Sequence, residues 1–275
     1  MMMLASDAKP PSVHGLDHGV LVGSHETRGN RRKRIDDESA GDDDAAKRQR
    51  VELPISTPKL SLVLDLDLTL LNSIEFDRVA SADKRLLRRK LTMQQEKDDC
   101  DLFCVDSLRC WTKLRPGIRE FLYKARELFD LHVITMGTQR YAAAMAELLD
   151  PTGTLFFGRI ISREDASIDD HGLLIKNLDQ VTAFESSVLI LDDTVRVWPH
   201  NQWNLILIQR YAYFPYTCHK YMVVGDSPLH TGVDDDDALA SVLSMLQRVH
   251  DDYHLVHHYA SHADVRSILA STLRS

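Results

Sequence analysis

Four aspartates lie in two short acidic motifs that could share one divalent cation. Asp65 and Asp67 belong to Asp65-Leu66-Asp67-Leu68-Thr69, and Asp192 and Asp193 are adjacent later in the chain. Carboxylates that are brought together repel one another unless a cation joins them. A few carboxylates with retained waters suit Mg²⁺ better than Ca²⁺. The motifs therefore predict a Mg²⁺ site with Asp65, Asp67 and Asp193 as ligands and Asp192 in support.

A phosphoryl group is the substrate that such a site predicts, because its oxygens can bind the metal ion. Asp65 is the predicted nucleophile, which attacks phosphorus and forms an aspartyl-phosphate. Asp67 is predicted to protonate the departing alkoxide and then to activate water, while its backbone carbonyl faces the metal. Lys176 is the leading candidate for fixed positive charge. Thr69 and Thr135 are predicted to donate hydroxyl hydrogen bonds, Thr135 to the phosphate.

Each of these residues also has a simple structural explanation when it is taken alone. The motif from Asp67 to Thr69 could be turn chemistry, Asp192-Asp193 a solvated turn, and Lys176 a surface lysine. Their order and their positions at strand ends together favour the enzyme. Two other functions stay open at this point: a catalytically silent module that binds phosphoproteins, and a phosphatase for small molecules.

The candidate residues follow apolar segments that have the composition of buried strands. These segments are Lys59 to Asp67, Leu131 to Thr135, Val188 to Asp192 and Leu205 to Gln209. Amphipathic helical patterns alternate with them, and Thr138 is the predicted N-cap of one helix. The alternation predicts an α/β fold with a doubly wound parallel sheet. In such folds, ligands bind outside the carboxyl ends of the strands.

The composition divides the chain into three segments. Residues 1–57 have few large apolar side chains and blocks of like charge, which predicts a disordered tail. Residues 58–225 form the predicted catalytic domain, with a small charged insertion helix at residues 77–99. Residues 226–275 are predicted to form a C-terminal helical appendage. The acidic run Asp234–Asp237 would favour the positive N-terminal end of its first helix.

Charge and hydropathy exclude several classes of function. The chain has 275 residues and a formal net charge of −8, which argues against a broad basic surface for direct nucleic-acid binding. Its apolar runs are too short to span a membrane, and we expect no secretory signal. Four unevenly spaced cysteines predict free thiols rather than a disulfide framework or a zinc site. The histidines of residues 250–258 are interpreted as amphipathic surface, with a metal site as the alternative.

Two basic clusters in the N-terminal tail predict a nuclear import signal. They occupy residues 31–34 and 47–50, with twelve residues between them. Clusters at this separation can occupy two acidic grooves on an import receptor. A solvated charged tail is the alternative. On the first interpretation, an import receptor is a partner and the nucleus is the location.

Longer stretches around these residues resemble a known family. The motif from Asp65 to Thr69, with Thr135, Lys176 and Asp192-Asp193, resembles the four motifs of the haloacid dehalogenase superfamily. More narrowly, five segments resemble the RNA polymerase II C-terminal domain phosphatases of the TFIIF-associating group, and the plant phosphatase-like proteins in particular. The segments are LVLDLDLTLLNS, WTKLRPGIREFL, HVITMGTQRYA, FFGRIISREDA and LILDDTVRVWPHNQWNLI. The resemblance covers roughly residues 58–225, and more faintly DVRSILAS near the C-terminus.

The resemblance implies a nuclear enzyme that acts on phosphoserine in the heptad-repeat tail of the largest polymerase subunit. It also implies that Arg163 lies near the phosphopeptide groove, although an exposed arginine is otherwise simply solubilising. Two departures from the family pattern matter. Leu68 stands where the family commonly has histidine, so we expect tuning of activity rather than loss. The larger relatives continue into a BRCT domain, whereas this sequence stops at Ser275. This puts stable recruitment to the polymerase in question, while activity on the peptide itself should survive.

Overall fold

The structure is a computed structural model that describes residues 59–95, 100–156, 158–182, 184–260 and 262–274. All of these residues belong to one structural unit, Pro54–Ser275. The predicted disordered tail and its two basic clusters lie outside the described residues. No helix in the described ranges combines the length and apolar character that a membrane crossing requires.

The described chain contains the predicted alternation of strands and helices. The strands are β1 (Leu60–Leu64), β2 (Leu71–Glu75), β3 (Leu102–Val105), β4 (Cys110–Leu114), β5 (Phe129–Ile134), β6 (Ile160–Ile161), β7 (Ser167–Ile168), β8 (Leu174–Ile175), β9 (Val188–Asp192) and β10 (Leu205–Leu207). The helices are α1 (Ser81–Gln95), α2 (Ile118–Leu128), α3 (Gln139–Leu149), α4 (Pro215–Lys220), α5 (Pro228–Thr231), α6 (Ala238–Tyr259) and α7 (Val265–Thr272).

β1 occupies the middle of a five-stranded sheet with the order β10-β9-β1-β5-β6. All neighbouring strands in this sheet run parallel. Leu62 of β1 is in register with Leu131 of β5 on one side and with Leu189 of β9 on the other. The prediction of an α/β fold with a parallel sheet is therefore confirmed. The carboxyl ends of β5, β1 and β9 meet at one edge.

Side chains of β1 alternate between two separate hydrophobic cores, as the pleat of a strand requires. Leu62 and Leu64 belong to the larger core, which includes α2, α6 and α7. Val63 belongs to a second core with Ile190 and Trp198. Because both faces of the strand are covered, its sequence LSLVL is almost entirely apolar.

Helix α3 begins directly after β5 at the edge where the candidate residues meet. Thr138 is its N-cap, and its Oγ1 accepts a hydrogen bond from the Tyr141 N–H at 3.3 Å. This cap is the one that the sequence predicts. The buried side chains of α3 are Ala142, Met145, Ala146 and Leu149. Tyr141 of α3 packs against the larger core, but its hydroxyl makes polar contacts that are described below.

The insertion between β1 and α2 forms a small antiparallel sheet with one helix. The sheet has the strand order β2-β4-β3, and α1 covers most of the predicted insertion helix at residues 77–99. Leu87 of α1 is fully buried in a cluster that includes Trp111 and Tyr213. Ser73 of β2 lies opposite Thr112 of β4. This pairing becomes important at the active site.

The acidic run before α6 forms ion pairs with two buried cations. Asp234 pairs with Lys113 at 2.8 Å, and Asp236 pairs with Arg115 at 2.9 Å. Lys113 is 5% exposed and Arg115 is 1% exposed. Asp236 also accepts from the Ala238 N–H at 3.1 Å, so one carboxylate does stabilise the helix start. Two of the four carboxylates therefore pair with buried cations, a role that the sequence interpretation did not include.

Candidate active site

Asp65, Asp192 and Asp193 come together at the carboxyl ends of β1 and β9. One carboxylate oxygen from each lies within 4.8 Å of the others. The Asp65 N–H donates to the Leu191 carbonyl at 3.0 Å, so the ladder between the two strands extends to the first aspartate. Within the described ranges, no other set of three His, Cys, Asp or Glu side chains could hold one ion. The histidines of residues 250–258 therefore form no such set.

Lys176 joins two of these carboxylates. It follows β8, and its Nζ donates to Asp65 Oδ1 at 2.5 Å and to Asp192 Oδ2 at 2.7 Å. The lysine side chain is only 3% exposed. Its backbone N–H donates to the Val197 carbonyl at 2.8 Å, which holds the residue against the loop after β9. Lys176 is thus a buried cation of the site and not a surface lysine.

The two adjacent aspartates have different surroundings. Asp192 Oδ2 also accepts from Trp198 Nε1 at 2.9 Å, and Asp192 Oδ1 accepts from the Thr194 N–H at 2.8 Å. Asp193 uses Oδ2 to accept from Arg210 Nε at 2.5 Å and from Thr194 Oγ1 at 2.9 Å. Protein donors therefore occupy both oxygens of Asp192 but one oxygen of Asp193. This difference favours Asp193 as the residue that binds an ion.

Asp67 lies beyond the end of β1, in a turn with unusual backbone geometry. Its Oδ1 accepts from the Tyr141 hydroxyl at 2.5 Å. Leu68 has a φ of 66°, which is uncommon for a leucine. The turn is held by hydrogen bonds from the Leu68 N–H to the Leu71 carbonyl and from the Tyr211 N–H to the Leu68 carbonyl, each 2.7 Å long. Histidine adopts this conformation more readily than leucine does.

The two candidate threonines both accept hydrogen bonds from backbone N–H groups. Thr69 Oγ1 accepts from the Asp193 N–H at 3.1 Å, which ties the first motif to the last. Thr135 Oγ1 accepts from the Gly137 N–H at 3.0 Å. Because a hydroxyl can accept and donate at once, each threonine keeps a proton for a ligand.

Burial dominates the electrostatics of the candidate aspartates. Among the protein groups alone, burial raises the pKa of Asp65 to about 8, against the opposing effect of Lys176 and with further increase from Asp192 and Asp67. Burial also raises the pKa of Asp67, although the hydrogen bond from Tyr141 opposes the change. Burial alone would lower the pKa of Lys176, but the adjacent Asp65 and Asp192 outweigh it, and the pKa is raised.

Three arginines lie close enough to the site to be compared as contacts for a substrate. Arg163 is exposed in a short 3₁₀ turn, where its backbone N–H donates to the Gly137 carbonyl at 2.9 Å. This contact joins Arg163 to the segment after β5, but Arg163 is outside the cavity lining, and its contact with a phosphopeptide stays a prediction. Arg196 and Arg210 instead line the cavity of about 190 Å³ that contains the aspartates. No sequence signal pointed to Arg196 or Arg210, because each lies in an irregular segment that follows a strand.

A larger cavity of about 630 Å³ lies away from the aspartates, near Lys113 and Arg115. Its two buried cations are already paired with Asp101, Asp234 and Asp236. We therefore locate the chemistry by the convergence of reactive groups rather than by cavity size.

The donor set fits a small hard cation. Three converging carboxylates offer oxygen ligands of the type that Mg²⁺ prefers. With all four aspartates ionised, Asp65, Asp67, Asp192 and Asp193 face the cations Lys176 and Arg210 with a formal excess of two negative charges, which falls to one when Asp67 carries a proton. A divalent ion would offset this negative charge. Asp65, Asp193 and, in support, Asp192 would hold it. The side chain of Asp67, the fourth predicted ligand, is not part of the converging set, so a contribution from Asp67 would come from its backbone carbonyl.

Comparison with known proteins places the chain in a family. The model of the family described as NLI interacting factor-like phosphatase matches residues 60–221. The chain belongs to this family. The matched segment includes every candidate residue of the site, from Asp65 to Arg210, and ends before α6.

Among curated members of this family, RNA polymerase II C-terminal domain phosphatase-like 3 of Arabidopsis thaliana is 44% identical over 226 residues, which cover 80% of this chain and 18% of the relative. Phosphatase-like 4 of the same organism is 39% identical over 201 residues, covering 70% of this chain and 44% of that relative. The chain thus spans less than half the length of either.

Solved structures give the same fold assignment. The chain is similar to Fcp1, described as an essential RNA polymerase II CTD phosphatase, with a TM-score of 0.59 and 25% identity over 77% of this chain and 69% of Fcp1. A variant of fission yeast Fcp1 bound to beryllium fluoride gives a TM-score of 0.55 at 23% identity, over 77% of this chain and 70% of that one.

Proposed function

We propose that this chain is a Mg²⁺-dependent protein serine phosphatase that acts through an aspartyl-phosphate on Asp65. The observation that carries the proposal is the convergence of Asp65, Asp192 and Asp193 around the buried Nζ of Lys176. A scaffold that only binds phosphoproteins would have no need for a buried nucleophile, a separate carboxylic acid and a paired lysine. Phosphoryl transfer needs all three.

In the first step, a carboxylate oxygen of Asp65 attacks phosphorus, and the bond from phosphorus to the serine oxygen breaks. Asp67 gives its proton to the departing oxygen, so that serine leaves as a neutral alcohol. Burial raises the pKa of both Asp65 and Asp67 among the protein groups alone. A cation bound at Asp65 would lower the pKa of that carboxyl, so that Asp65 would be ionised while Asp67 carries the proton. Lys176 fixes the position of Asp65 and supplies positive charge beside the transferred phosphoryl group.

In the second step, Asp67 takes a proton from water, whose oxygen attacks the phosphorus of the aspartyl-phosphate. The bond from phosphorus to Asp65 breaks, and phosphate leaves with both aspartates restored. When bound, Mg²⁺ supplies the positive charge that reduces repulsion between a carboxylate and a phosphate dianion. Thr69 and Thr135 hold hydroxyl protons that can be donated, Thr135 to the phosphoryl oxygens.

The substrate class that we propose is phosphoserine within a polypeptide, specifically the heptad-repeat C-terminal domain of RNA polymerase II. An open groove of about 460 Å³ shares Asp67 and Leu68 with the catalytic cavity and continues past Ser73 to Tyr216 and Lys220. An extended chain could lie in it, whereas a small metabolite would need enclosure. The relatives and Fcp1 carry the name of phosphatases for this domain.

This substrate implies a nuclear setting, and we propose that the basic clusters at residues 31–34 and 47–50 bind an import receptor. Arg163, exposed beside the site, is proposed to contact the phosphopeptide. Substitution of both basic clusters should reduce nuclear accumulation of the full chain without changing its activity in solution.

The test is hydrolysis of an aryl phosphate and of a doubly phosphorylated heptad peptide by the full chain. We expect Mg²⁺-dependent turnover of both, which chelation and Asp65→Asn abolish. Asp251→Asn is the matched control, because the Asp251 side chain is 82% exposed on α6 and should not affect turnover. Mapping the phosphate that leaves the peptide identifies the preferred serine.

Two outcomes would favour the rival functions. Peptide binding without turnover, with Mg²⁺ present, would favour the silent binding module. A preference for sugar phosphates over the peptide would favour a small-molecule phosphatase. Either result would overturn the proposed function.

A further inference from the structure

Tyr141 is the polar neighbour of the proposed acid. Its hydroxyl lies 2.5 Å from Asp67 Oδ1 and 2.7 Å from Ser73 Oγ. Ser73 Oγ in turn lies 2.8 Å from Thr112 Oγ1, in the cross-strand pair of β2 and β4. Thr112 is fully buried. Three hydroxyl groups thus form a chain that begins in the insertion sheet and ends on Asp67.

The ionised state of Asp67 fixes the direction of the protons in this chain. A tyrosine hydroxyl has one proton, and an unprotonated carboxyl oxygen can only accept, so Tyr141 then donates to Asp67 Oδ1 and accepts from Ser73. Ser73 accepts from Thr112. In the neutral acid, a proton on Oδ2 keeps this direction, whereas a proton on Oδ1 would be donated to Tyr141, which would then donate to Ser73.

The tyrosine ring is itself held in place from two sides. The Tyr141 N–H donates to the N-cap Thr138 at 3.3 Å, which fixes the backbone in the first turn of α3. Gly137 lies against the ring, since a Cβ at that residue would be 2.4 Å from Tyr141 Cδ1. A side chain there would push the hydroxyl away from Asp67. The geometry therefore requires a glycine two residues after the site threonine Thr135.

We propose that Tyr141 is a positioning residue that reserves Asp67 Oδ2 for the proton given to the leaving serine oxygen, with Ser73 and Thr112 orienting the tyrosine hydroxyl. This inference rests on the proposed function, because it needs Asp67 to act as the acid. Without the bond from Tyr141, either oxygen of Asp67 can carry the proton and the carboxyl can rotate. Fewer encounters then have the geometry for proton transfer.

Two substrates with different leaving groups distinguish this positioning role from a merely structural role of the Tyr141 hydroxyl. A p-nitrophenolate ion leaves without protonation, whereas a serine alkoxide requires a proton. Tyr141→Phe should therefore lower kcat/KM by about 10- to 100-fold for the phosphoserine peptide, and by about threefold or less for p-nitrophenyl phosphate. Ser73→Ala should also lower kcat/KM more for the phosphoserine peptide than for p-nitrophenyl phosphate, by a smaller factor than Tyr141→Phe.

Tyr123→Phe is the matched control, because Tyr123 is 59% exposed on α2, and it should leave both rates unchanged. Thermal unfolding of each variant reports whether it is folded. If Tyr141→Phe does not fold, Ser73→Ala is used to test the inference in its place. Equal losses with the two substrates in the folded variants, or no loss, would overturn the inference. Failure of the proposed function looks different. In that case the wild-type chain would hydrolyse neither substrate, or the Asp65→Asn variant would keep its activity.

Discussion

At the scale of single residues, burial decides which protonation states the fold prefers. Asp65 and Lys176 are buried together, and Lys176 opposes the rise that burial causes in the pKa of Asp65. Removal of Lys176 would leave two buried carboxylates, Asp65 and Asp192, without the cation that they share. The site therefore combines pre-organisation for catalysis with a strong dependence on every member of the charged cluster.

His132 provides a pH test at the residue scale, away from the aspartates. Burial lowers the pKa of His132 from its ordinary value of 6.5, and its Nδ1 accepts from the Arg159 N–H at 3.1 Å, which requires a neutral ring nitrogen. The unfolded chain binds the proton more readily than the folded chain. The free energy of unfolding should therefore fall as the pH is lowered through 6.5, by at most about 1.4 kcal/mol per pH unit from this group.

Urea denaturation of the wild-type chain and His132→Asn at several pH values between 5 and 8 checks this expectation. Asparagine keeps an acceptor near the position of Nδ1 and does not titrate. The difference between the two proteins should shrink or reverse toward low pH. A constant difference across the range would contradict the assigned cause.

At the scale of elements, the start of α3 and the strands β2 and β4 supply the three hydroxyl groups that lead to the proposed acid Asp67. The N-cap Thr138 lies four residues after the end of β5, and Thr135 is the first residue of this short connection. Loss of the cap would leave an unsatisfied N–H at Tyr141, the residue that donates to Asp67. The stability of one helix end and the geometry of the proposed acid are therefore coupled.

Thr138→Ala should lower the free energy of unfolding by about 1 kcal/mol, the usual effect of removing a side-chain cap. Thr92→Ala is the matched control, because Thr92 is exposed in α1 and should change stability by less than about 0.5 kcal/mol. Chemical denaturation of the two variants is the measurement. Equal effects would mean that the cap contributes nothing specific.

At the scale of the whole molecule, one buried arginine connects the C-terminal segment to the active-site turn. Arg115 donates to Asp236 Oδ1 and Oδ2 at 2.9 Å, to the Thr69 carbonyl at 2.9 Å and to the Gln209 carbonyl at 2.9 Å. Helices α6 and α7 also belong to the larger hydrophobic core. The segment after the matched family region is thus packed into the same body as the site.

Asp236→Ala should lower the free energy of unfolding by about 2 to 3 kcal/mol, because it leaves the Arg115 charge buried without its carboxylate. The adjacent Asp235 is exposed, and Asp235→Ala should have an effect below about 0.5 kcal/mol. Denaturation measured in parallel on the two variants isolates the ion pair from the general effect of removing negative charge. A matching loss in both would show that the pair is unimportant.

The sequence alone determined four strands of the parallel sheet (β1, β5, β9 and β10), the four acidic residues and Lys176 as candidates, and the cap at Thr138. These features are readable because local composition sets strands and helix ends, and parallel strands bring their carboxyl ends together. Only the tertiary structure decided the partners: Tyr141 with Asp67, Arg210 with Asp193, and Asp236 with Arg115. Each pair joins residues far apart in the chain, and no local pattern records which side chains the folded path brings within hydrogen-bond distance.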